Sequence, residues 1–256
     1  MKTLNQSSPF SKFVRKPLSQ VALLGLVLGG CGIAGFAASA VGYRFGWWPA
    51  VTALEIAQWA VVGAGLGFVL SLIGASLSWP DARRRGLAPS IFGIVVSLPV
   101  VAMAIQWEYA TRSYPPINDI STDIEDPPVF WGMPTPTVYP GGETAKLQRA
   151  AYPDLVPLNL SVAPGRAHAL AKALARDRGW GIVADEPEEG RIEAVAGTFI
   201  YGFKDEIVVR VSPSNGGAQI DVRSRSRIGR IDRGANAQRI RTFLADLRKS
   251  VSIEQR

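Results

Sequence analysis

The sequence is poor in the side chains that most often bind metals and form disulfides. Its 256 residues include one cysteine, Cys31, and one histidine, His168. A single cysteine excludes an intramolecular disulfide, so cysteine usage does not report the redox compartment. A zinc site would need an unusual set of carboxylates. We therefore expect no metal site and no cofactor.

Known catalytic and nucleotide-binding motifs are also lacking. There is no Gly-x-Ser-x-Gly motif, no Gly-rich phosphate loop and no alternation of strands and helices typical of doubly wound folds. His168 lies on a predicted helix without a positioned partner, so we predict an exposed or half-buried residue rather than a general base. The acidic run 185–189 is typical of a solvated turn.

Charge is scarce in the N-terminal part and nearly balanced in the rest. Before Glu108 there are 8 Lys/Arg and 2 Asp/Glu, a net of +6, and from Glu108 onward 20 and 19, a net of +1, which together give the total of +7. The basic excess therefore belongs to the apolar part. Bulk electrostatics gives no support for nucleic-acid binding, and we expect no nucleic-acid partner.

Three long runs with almost no charge predict transmembrane helices. They cover about residues 21–42, 56–79 and 87–107, each near the roughly 20 residues that cross a hydrocarbon core. Pro99 predicts a kink in the third helix. Residues 1–107 are thus a predicted membrane region with the lipid bilayer as its surroundings.

Basic residues in the short loops predict the orientation. They precede the first run or lie between the second and third: Lys2, Lys12, Arg15, Lys16, Arg83, Arg84 and Arg85. The positive-inside rule makes both segments cytoplasmic, so three crossings place the C-terminal domain outside. Tryptophans at the span ends fit an interfacial belt: Trp47, Trp48, Trp79 and Trp107.

Two alternatives concern the membrane region. Residues 28–31, LGGC, loosely resemble a lipoprotein cleavage site, but the apolar run continues to Val41 and two more runs follow, so we favour an uncleaved chain. Small residues four apart favour close helix packing within the chain, with dimerisation as the alternative: Gly25, Gly29, Gly63 and Gly67.

The remaining chain predicts a proline-rich segment and an α+β domain. Residues 108–142 hold seven prolines, which favours an extended linker that wraps over the domain. Within 143–256, periodicity predicts a helix from Pro164, strands at 180–184, 191–201, 206–212 and 218–227, and a helix at 235–251. The economical arrangement is an antiparallel four-stranded sheet with two helices on one face.

Several motifs in this region resemble the bacterial and plastid DUF1499 family. In order they are PINDISTD at 116–123, DPPVF at 126–130, YPD at 152–154, GFKD at 202–205 with VVRV at 208–211, DVRSRSRIG at 221–229 and DRGANAQRI at 232–240. The resemblance covers about residues 115–247, and the three-span prefix is similar to one arrangement in the family. Together with the orientation predicted from the loop charges, it implies a bacterial inner-membrane protein with a periplasmic domain. It transfers no activity, because the family is uncharacterised.

An arginine-rich strand is the main candidate site. Arg223, Arg225 and Arg227 alternate with serines, so period-2 geometry places the three arginines on one face. Three hypotheses remain open: pairing with acids of the proline-rich segment, binding of an anionic small molecule or lipid head group, or a plainly solvated face. The candidate ligand-binding residues are Arg223, Arg225, Arg227, Arg230, Asn236 and Arg239, and the candidate acidic partners are Asp119, Asp123, Asp126 and Asp232. Asp232 also fits a cap of the last helix.

Three function hypotheses follow. The first is a membrane-anchored extracytoplasmic module for ligand binding or interaction. The second is an assembly factor that docks on a membrane or periplasmic protein. The third, and least supported, is an enzyme of unrecognised type that uses Asp119, Asp123 or Asp232 on an anionic substrate. An arginine-lined open pocket would favour binding, and paired arginines with an exposed apolar patch would favour a protein partner.

Overall fold

A computed structural model describes residues 17–79, 85–136 and 138–254. The chain divides into two compact units, Met1–Ile105 and Gln106–Arg256. The first unit contains α1 (Gln20–Arg44), α2 (Ala50–Leu77) and most of α3 (Leu87–Ser113). All three helices are long and apolar enough to cross a membrane, which indicates a membrane protein. Helix α3 continues through Pro99 and past the predicted end at residue 107, so the proline-rich segment begins as helix.

Glycine and serine make the closest contacts between helices of the first unit. A Cβ added at Gly67 would lie 2.4 Å from the backbone nitrogen of Gly29, and one added at Gly25 would lie 2.6 Å from Ser71 Oγ. Helices approach this closely only where a side chain is missing or small. Gly25, Gly29 and Gly67 therefore serve packing within the chain.

The orientation prediction rests mostly on residues outside the described part of the chain. Of its basic residues only Arg85 is described; its N–H donates to Pro17 O at 3.0 Å, and its carbonyl accepts from Ser19 N at 2.7 Å. Lys2, Lys12, Arg15, Lys16, Arg83 and Arg84 lie outside the described residues, and the orientation stays a prediction.

The second unit is built on one antiparallel sheet. Its strands are β1 (Asp119–Ser121), β2 (Leu158–Leu160), β3 (Gly181–Glu186), β4 (Arg191–Gly197), β5 (Lys204–Ser214) and β6 (Gly217–Ser226). They follow the order β1-β6-β5-β4-β3, with β2 also paired to β6. The predicted strands correspond to β3–β6, but the count of four is corrected to six. The two additional strands have three residues each, too short to show a periodic pattern.

Two helices, α5 (Pro164–Asp177) and α6 (Ala235–Glu254), cover one face of this sheet. A third helix, α4 (Gly142–Ala151), contributes partly buried Leu147 to the same core. Ile207, Val209 and Ile220 from the strands join α5 and α6 in one apolar core. Fully buried Phe243 of α6 stacks on Trp180 with ring centroids 5.1 Å apart. Burial of these apolar surfaces is the main favourable term for this face.

Candidate functional site

The opposite face of the sheet carries most of the predicted site residues. Side chains alternate between faces along a strand, so the neighbours of the core residues on β4, β5 and β6 lie on the other side. We call this surface the charged face; its members are Glu193, Glu206, Arg210, Asp221, Arg223 and Arg225. On antiparallel β5 and β6, Glu206 lies opposite Arg225 and Arg210 opposite Asp221. Opposite charges are thus paired across neighbouring strands.

A proline-rich strap, residues 122–136, covers the charged face. Phe130 of the strap is fully buried and contacts Met133 and Val208 of a small apolar cluster. The guanidinium carbons of Arg225 and Arg223 lie 4.1 and 5.0 Å from the centroid of the Phe130 ring. Only 1% of Arg223 and 7% of Arg225 is exposed. The strap therefore closes Arg223 and Arg225 off from solvent.

Arg223 forms a bidentate pair with Asp119. Its Nε donates to Asp119 Oδ1 at 2.9 Å and its Nη2 to Oδ2 at 2.7 Å, while Nη1 donates to the Pro128 carbonyl at 3.1 Å. This fork geometry is the strongest form of side-chain hydrogen bonding. Burial and the Asp119 charge raise the pKa of nearby Tyr139 to about 12, against a smaller opposing effect of Arg223.

Glu206 holds the other two arginines of the strand. Its carboxylate accepts from Arg225 Nε at 2.7 Å and from Arg227 Nε at 2.6 Å. It also accepts from the Thr135 hydroxyl of the strap, and Arg225 donates to the Pro136 carbonyl. Burial by itself raises the pKa of Glu206, but the hydrogen bonds from Thr135, Arg225 and Arg227 outweigh it and lower the pKa.

Two other predicted acidic partners lie near a different arginine. Arg210 contacts Asp123 at 3.1 Å, Asp126 at 2.8 Å and Asp221 at 3.3 Å. Asp126 is 83% exposed, whereas Asp221 is fully buried. The pairing hypothesis assigned Asp123 and Asp126 to the arginines of β6. Both instead bind Arg210 of β5, so the hypothesis is wrong for these two acids.

Asn236 and Arg239 lie on the helix side of the sheet, away from the charged face. Asn236 accepts from Ser224 Oγ at 2.8 Å, and Arg239 donates to Ser224 Oγ at 2.9 Å. Arg239 also pairs with Asp205 at 2.5 Å. The serines that alternate with the arginines therefore have their own partners, and the sheet separates these two candidates from Arg223 and Arg225.

Asp232 caps α6, as its position in the sequence predicts. Its carboxylate accepts from Gly234 N at 3.0 Å and from Asn236 N at 2.8 Å. Burial raises its pKa despite these two hydrogen bonds. Exposed Arg230 lies in the loop between β6 and the cap. The six candidate ligand-binding residues are therefore not brought together, and the charged face is a set of fixed, mutually paired charges.

The comparison with protein families identifies this fold unit. A family model described as "Protein of unknown function (DUF1499)" matches residues 119–247. The chain belongs to the DUF1499 family. A search of curated proteins finds no match. The match begins at β1, whose Asp119 binds Arg223, and ends within α6, so it spans the sheet, the strap and the two packed helices.

A groove of about 380 Å³ lies on the DUF1499 domain between the start of the strap and the segment after α4. Its lining residues include Asp123, Glu125, Arg149, Tyr152 and Val156. Its cation, Arg149, is already paired with Glu125 at 2.6 Å. Burial, followed by the Asp232 charge, raises the pKa of Tyr152 to about 12. The groove is thus open but offers no unpaired arginine among the described residues.

The prediction for His168 is corrected. It is 4% exposed, and its Nε2 lies 2.8 Å from Asp185 Oδ1. Lys172 contacts the same carboxylate, and hydrogen bonds from Lys172 and His168 lower the pKa of Asp185. Asp185 therefore belongs to an ion pair with α5 rather than to a solvated turn. Within the described ranges, no group of three His, Cys, Asp or Glu side chains is placed to hold a metal ion.

Sequence reasoning missed a glutamate that fixes the strap. Fully buried Glu193 accepts the N–H of Trp131 at 2.8 Å and the N–H of Gly132 at 2.9 Å. Arg191 binds the same carboxylate. The Trp131 side chain remains 71% exposed. The only local sign of this contact in the sequence is the alternation of Arg191 and Glu193 on β4. The backbone groups that Glu193 binds lie in the strap, which is distant along the chain.

Trp131 is part of an exposed apolar patch. Val129 is 40% and Val183 49% exposed. A Cβ added at Gly132 would lie 3.5 Å from Val183 Cγ1, so β3 borders the strap at this point. We call Val129, Trp131 and Val183 the Trp131 patch.

Proposed function

We propose that this DUF1499 protein is a membrane-anchored interaction module that docks a partner protein on the Trp131 patch. We place the domain on the periplasmic side of a bacterial inner membrane, following the loop charges. The observation that carries the proposal is Trp131 itself, 71% exposed on a backbone held by a fully buried carboxylate.

A rigidly held, exposed tryptophan suits protein recognition. Isolated exposed apolar residues are common on protein surfaces, but tryptophan is enriched among residues that dominate binding energy. Because Glu193 fixes the strap backbone before binding, little further ordering is needed when a partner covers the ring. Neighbouring Val129 and Val183 extend the apolar surface that a partner would remove from water.

The adjoining sheet edge favours docking through side chains. Among the described strands β3 pairs only with β4 and forms an edge of the sheet. Its register shifts between Ile182 and Ala184. Such a bulge disrupts further strand addition, which leaves the Trp131 patch as the contact surface.

The charged face supports this choice over anion binding. An anionic small molecule or lipid head group at Arg223 or Arg225 would have to displace Asp119 or Glu206 and lift the strap. Breaking a buried ion pair is costly, about 3–5 kcal/mol. A protein partner on the Trp131 patch needs no such opening.

Site-specific photocrosslinking of the full-length protein in its membrane tests the proposal. A photoreactive residue in place of Trp131 should give a discrete protein adduct that disappears when Val183→Asp is added. The matched control is Val156, which is 57% exposed but outside the patch, and should give no such adduct. The absence of an adduct at 131, or equal adducts at both positions, would contradict the docking surface.

Cysteine labelling tests the proposed location separately. In a Cys31→Ser background, Asn215→Cys in the β5–β6 turn should react with a membrane-impermeant maleimide added to spheroplasts. Labelling only after lysis would place the domain in the cytoplasm and reverse the orientation.

A further inference from the structure

The hairpin between β4 and β5 presents a second exposed apolar surface. Phe199 is 94% and Ile200 42% exposed. The turn is held in place: Thr198 N donates to the Phe203 carbonyl at 2.9 Å, and Phe203 N donates to Thr198 Oγ1 at 3.0 Å. The Tyr201 and Phe203 rings stack with centroids 4.8 Å apart. The hydrogen-bonded turn therefore holds two apolar side chains in water. Their transfer from water to an apolar environment would be favourable.

This hairpin lies at the end of the sheet where the chain arrives from α3. Lys204 begins β5, and its carbonyl accepts from Arg227 N at 3.1 Å just after the end of β6. At the same end, the Asn118 carbonyl accepts from Ser226 N at 3.0 Å, only a few residues after α3. Two to three strand spacings, about 10–15 Å, separate the hairpin from this segment.

The last turns of α3 contact the loop that leaves this end of the sheet. The guanidinium carbon of Arg233 lies 3.5 Å from the centroid of the Trp107 ring, and its Nε donates to Thr111 Oγ1 at 2.8 Å. Trp107 ends the third apolar run of the sequence, where a membrane–water interface is predicted. The sheet end that bears the hairpin is therefore connected directly to the predicted interface.

Charge at this end complements anionic lipid. Lys204 and Arg230 are exposed. The nearby acids are neutralised or turned inward: Glu108 pairs with Arg112 at 2.7 Å, and the others are Asp205 on Arg239, Glu206 on Arg225 and Arg227, and Asp232 on the α6 cap. Basic residues next to apolar side chains favour binding to an anionic bilayer surface.

We propose that the tip of the β4–β5 hairpin, Phe199 and Ile200, inserts into the head-group layer of the bilayer, with Lys204 and Arg230 on anionic head groups. The partner is the lipid surface itself. This contact gives the domain a second attachment to the membrane besides α3. It is independent of protein docking on the Trp131 patch, which a separate crosslinking readout tests.

Lipid-borne quenchers test the insertion on the full-length protein. In the Cys31→Ser background, Ile200→Cys is labelled with an environment-sensitive fluorophore and the protein is placed in nanodiscs of zwitterionic and anionic phospholipid. We expect a blue-shifted emission that head-group nitroxide lipids quench. The control label at Asn215→Cys lies at the opposite end of the sheet, about 30 Å along the strands, and should not be quenched.

Second variants keep the test decisive. Phe199→Ser should reduce the quenching at position 200, and Lys204→Glu with Arg230→Glu should reduce it in anionic but not in purely zwitterionic nanodiscs. If Ile200→Cys disturbs folding, a label at Phe199→Cys replaces it. Equal quenching at 200 and 215, or a blue shift that lipid nitroxides do not quench, would overturn the proposal.

Discussion

The two faces of the DUF1499 sheet are buried by different means. On the helix-covered face, Phe243, Ile207 and Ile220 belong to an apolar core, and their own side chains carry no polar group. On the charged face, Arg223, Glu193 and Glu206 are equally buried, but each has a hydrogen-bond partner. Arg223 donates to Asp119, Glu193 accepts from the strap backbone at Trp131, and Glu206 accepts from the strap hydroxyl of Thr135.

The difference teaches what each kind of burial contributes. Apolar burial is favourable without directional demands. Buried ion pairs roughly recover their own desolvation cost, and their main effect is to penalise every arrangement that leaves a charge unpaired. The charged face therefore contributes little net stability. Its main effect is to fix the path of the strap and, with it, the position of exposed Trp131.

The largest effect is expected on the helix-covered face. Phe243→Ala should lower the free energy of unfolding by about 3–5 kcal/mol, because it leaves a cavity beside Trp180. Urea denaturation of the full chain in detergent, followed by circular dichroism, measures this. Val156→Ala, at a position 57% exposed, serves as the control. A loss below about 1 kcal/mol would contradict a tightly packed core.

On the charged face, a comparable loss in the free energy of unfolding should have a different cause. Asp119→Ala leaves Arg223 buried without its carboxylate and should cost about 3–5 kcal/mol. Asp119→Leu combined with Arg223→Met removes both charges and should recover most of that loss. The same denaturation experiment separates the two cases. A double variant as unstable as Asp119→Ala would show that the pair itself, rather than the orphaned charge, stabilises the fold.

Acid should weaken the charged face selectively. The pKa of Glu206 is lowered in the folded protein from an ordinary 4.5, so its contribution is present above that value and is lost as the pH falls through the lower folded pKa. Glu206→Gln should therefore flatten the fall in stability between neutral and acidic pH, although it is less stable at neutral pH. Denaturation at a series of pH values checks this, and an unchanged slope would argue against Glu206 as an acid-sensitive group.

The smallest effect is expected at the edge of the strap. Asp123 is 23% exposed and pairs with Arg210, and its Oδ1 accepts from Asp126 N at 2.9 Å. Asp123→Ala should cost about 1 kcal/mol, whereas Asp126→Ala should be silent because that side chain is 83% exposed. Thermal melting compares the variants with the parent. Equal melting temperatures for Asp123→Ala and the parent would contradict pairing at this position.

Residue patterns anticipated the sheet faces better than the partners. Period-2 alternation correctly placed Arg223 and Arg225 together, and spacing identified Asp232 as the cap of α6. The carboxylates that bind these arginines were harder to predict: Asp119 is 104 positions from Arg223, and Glu206 comes from the neighbouring strand. His168 was predicted with too much exposure, because nothing local indicates that Asp185 lies beside it.

The sequence alone determined three apolar helices, an α+β domain, the principal strands and the family, because apolar run length, side-chain alternation and motif order are local properties of a chain. Only the tertiary structure decided that the arginines are closed under the strap, that Asn236 and Arg239 lie across the sheet from them, and that Trp131 and Phe199 remain exposed. These outcomes depend on which distant segments cross each strand, and the free energy of burying a charge depends on the partner that the crossing segment supplies.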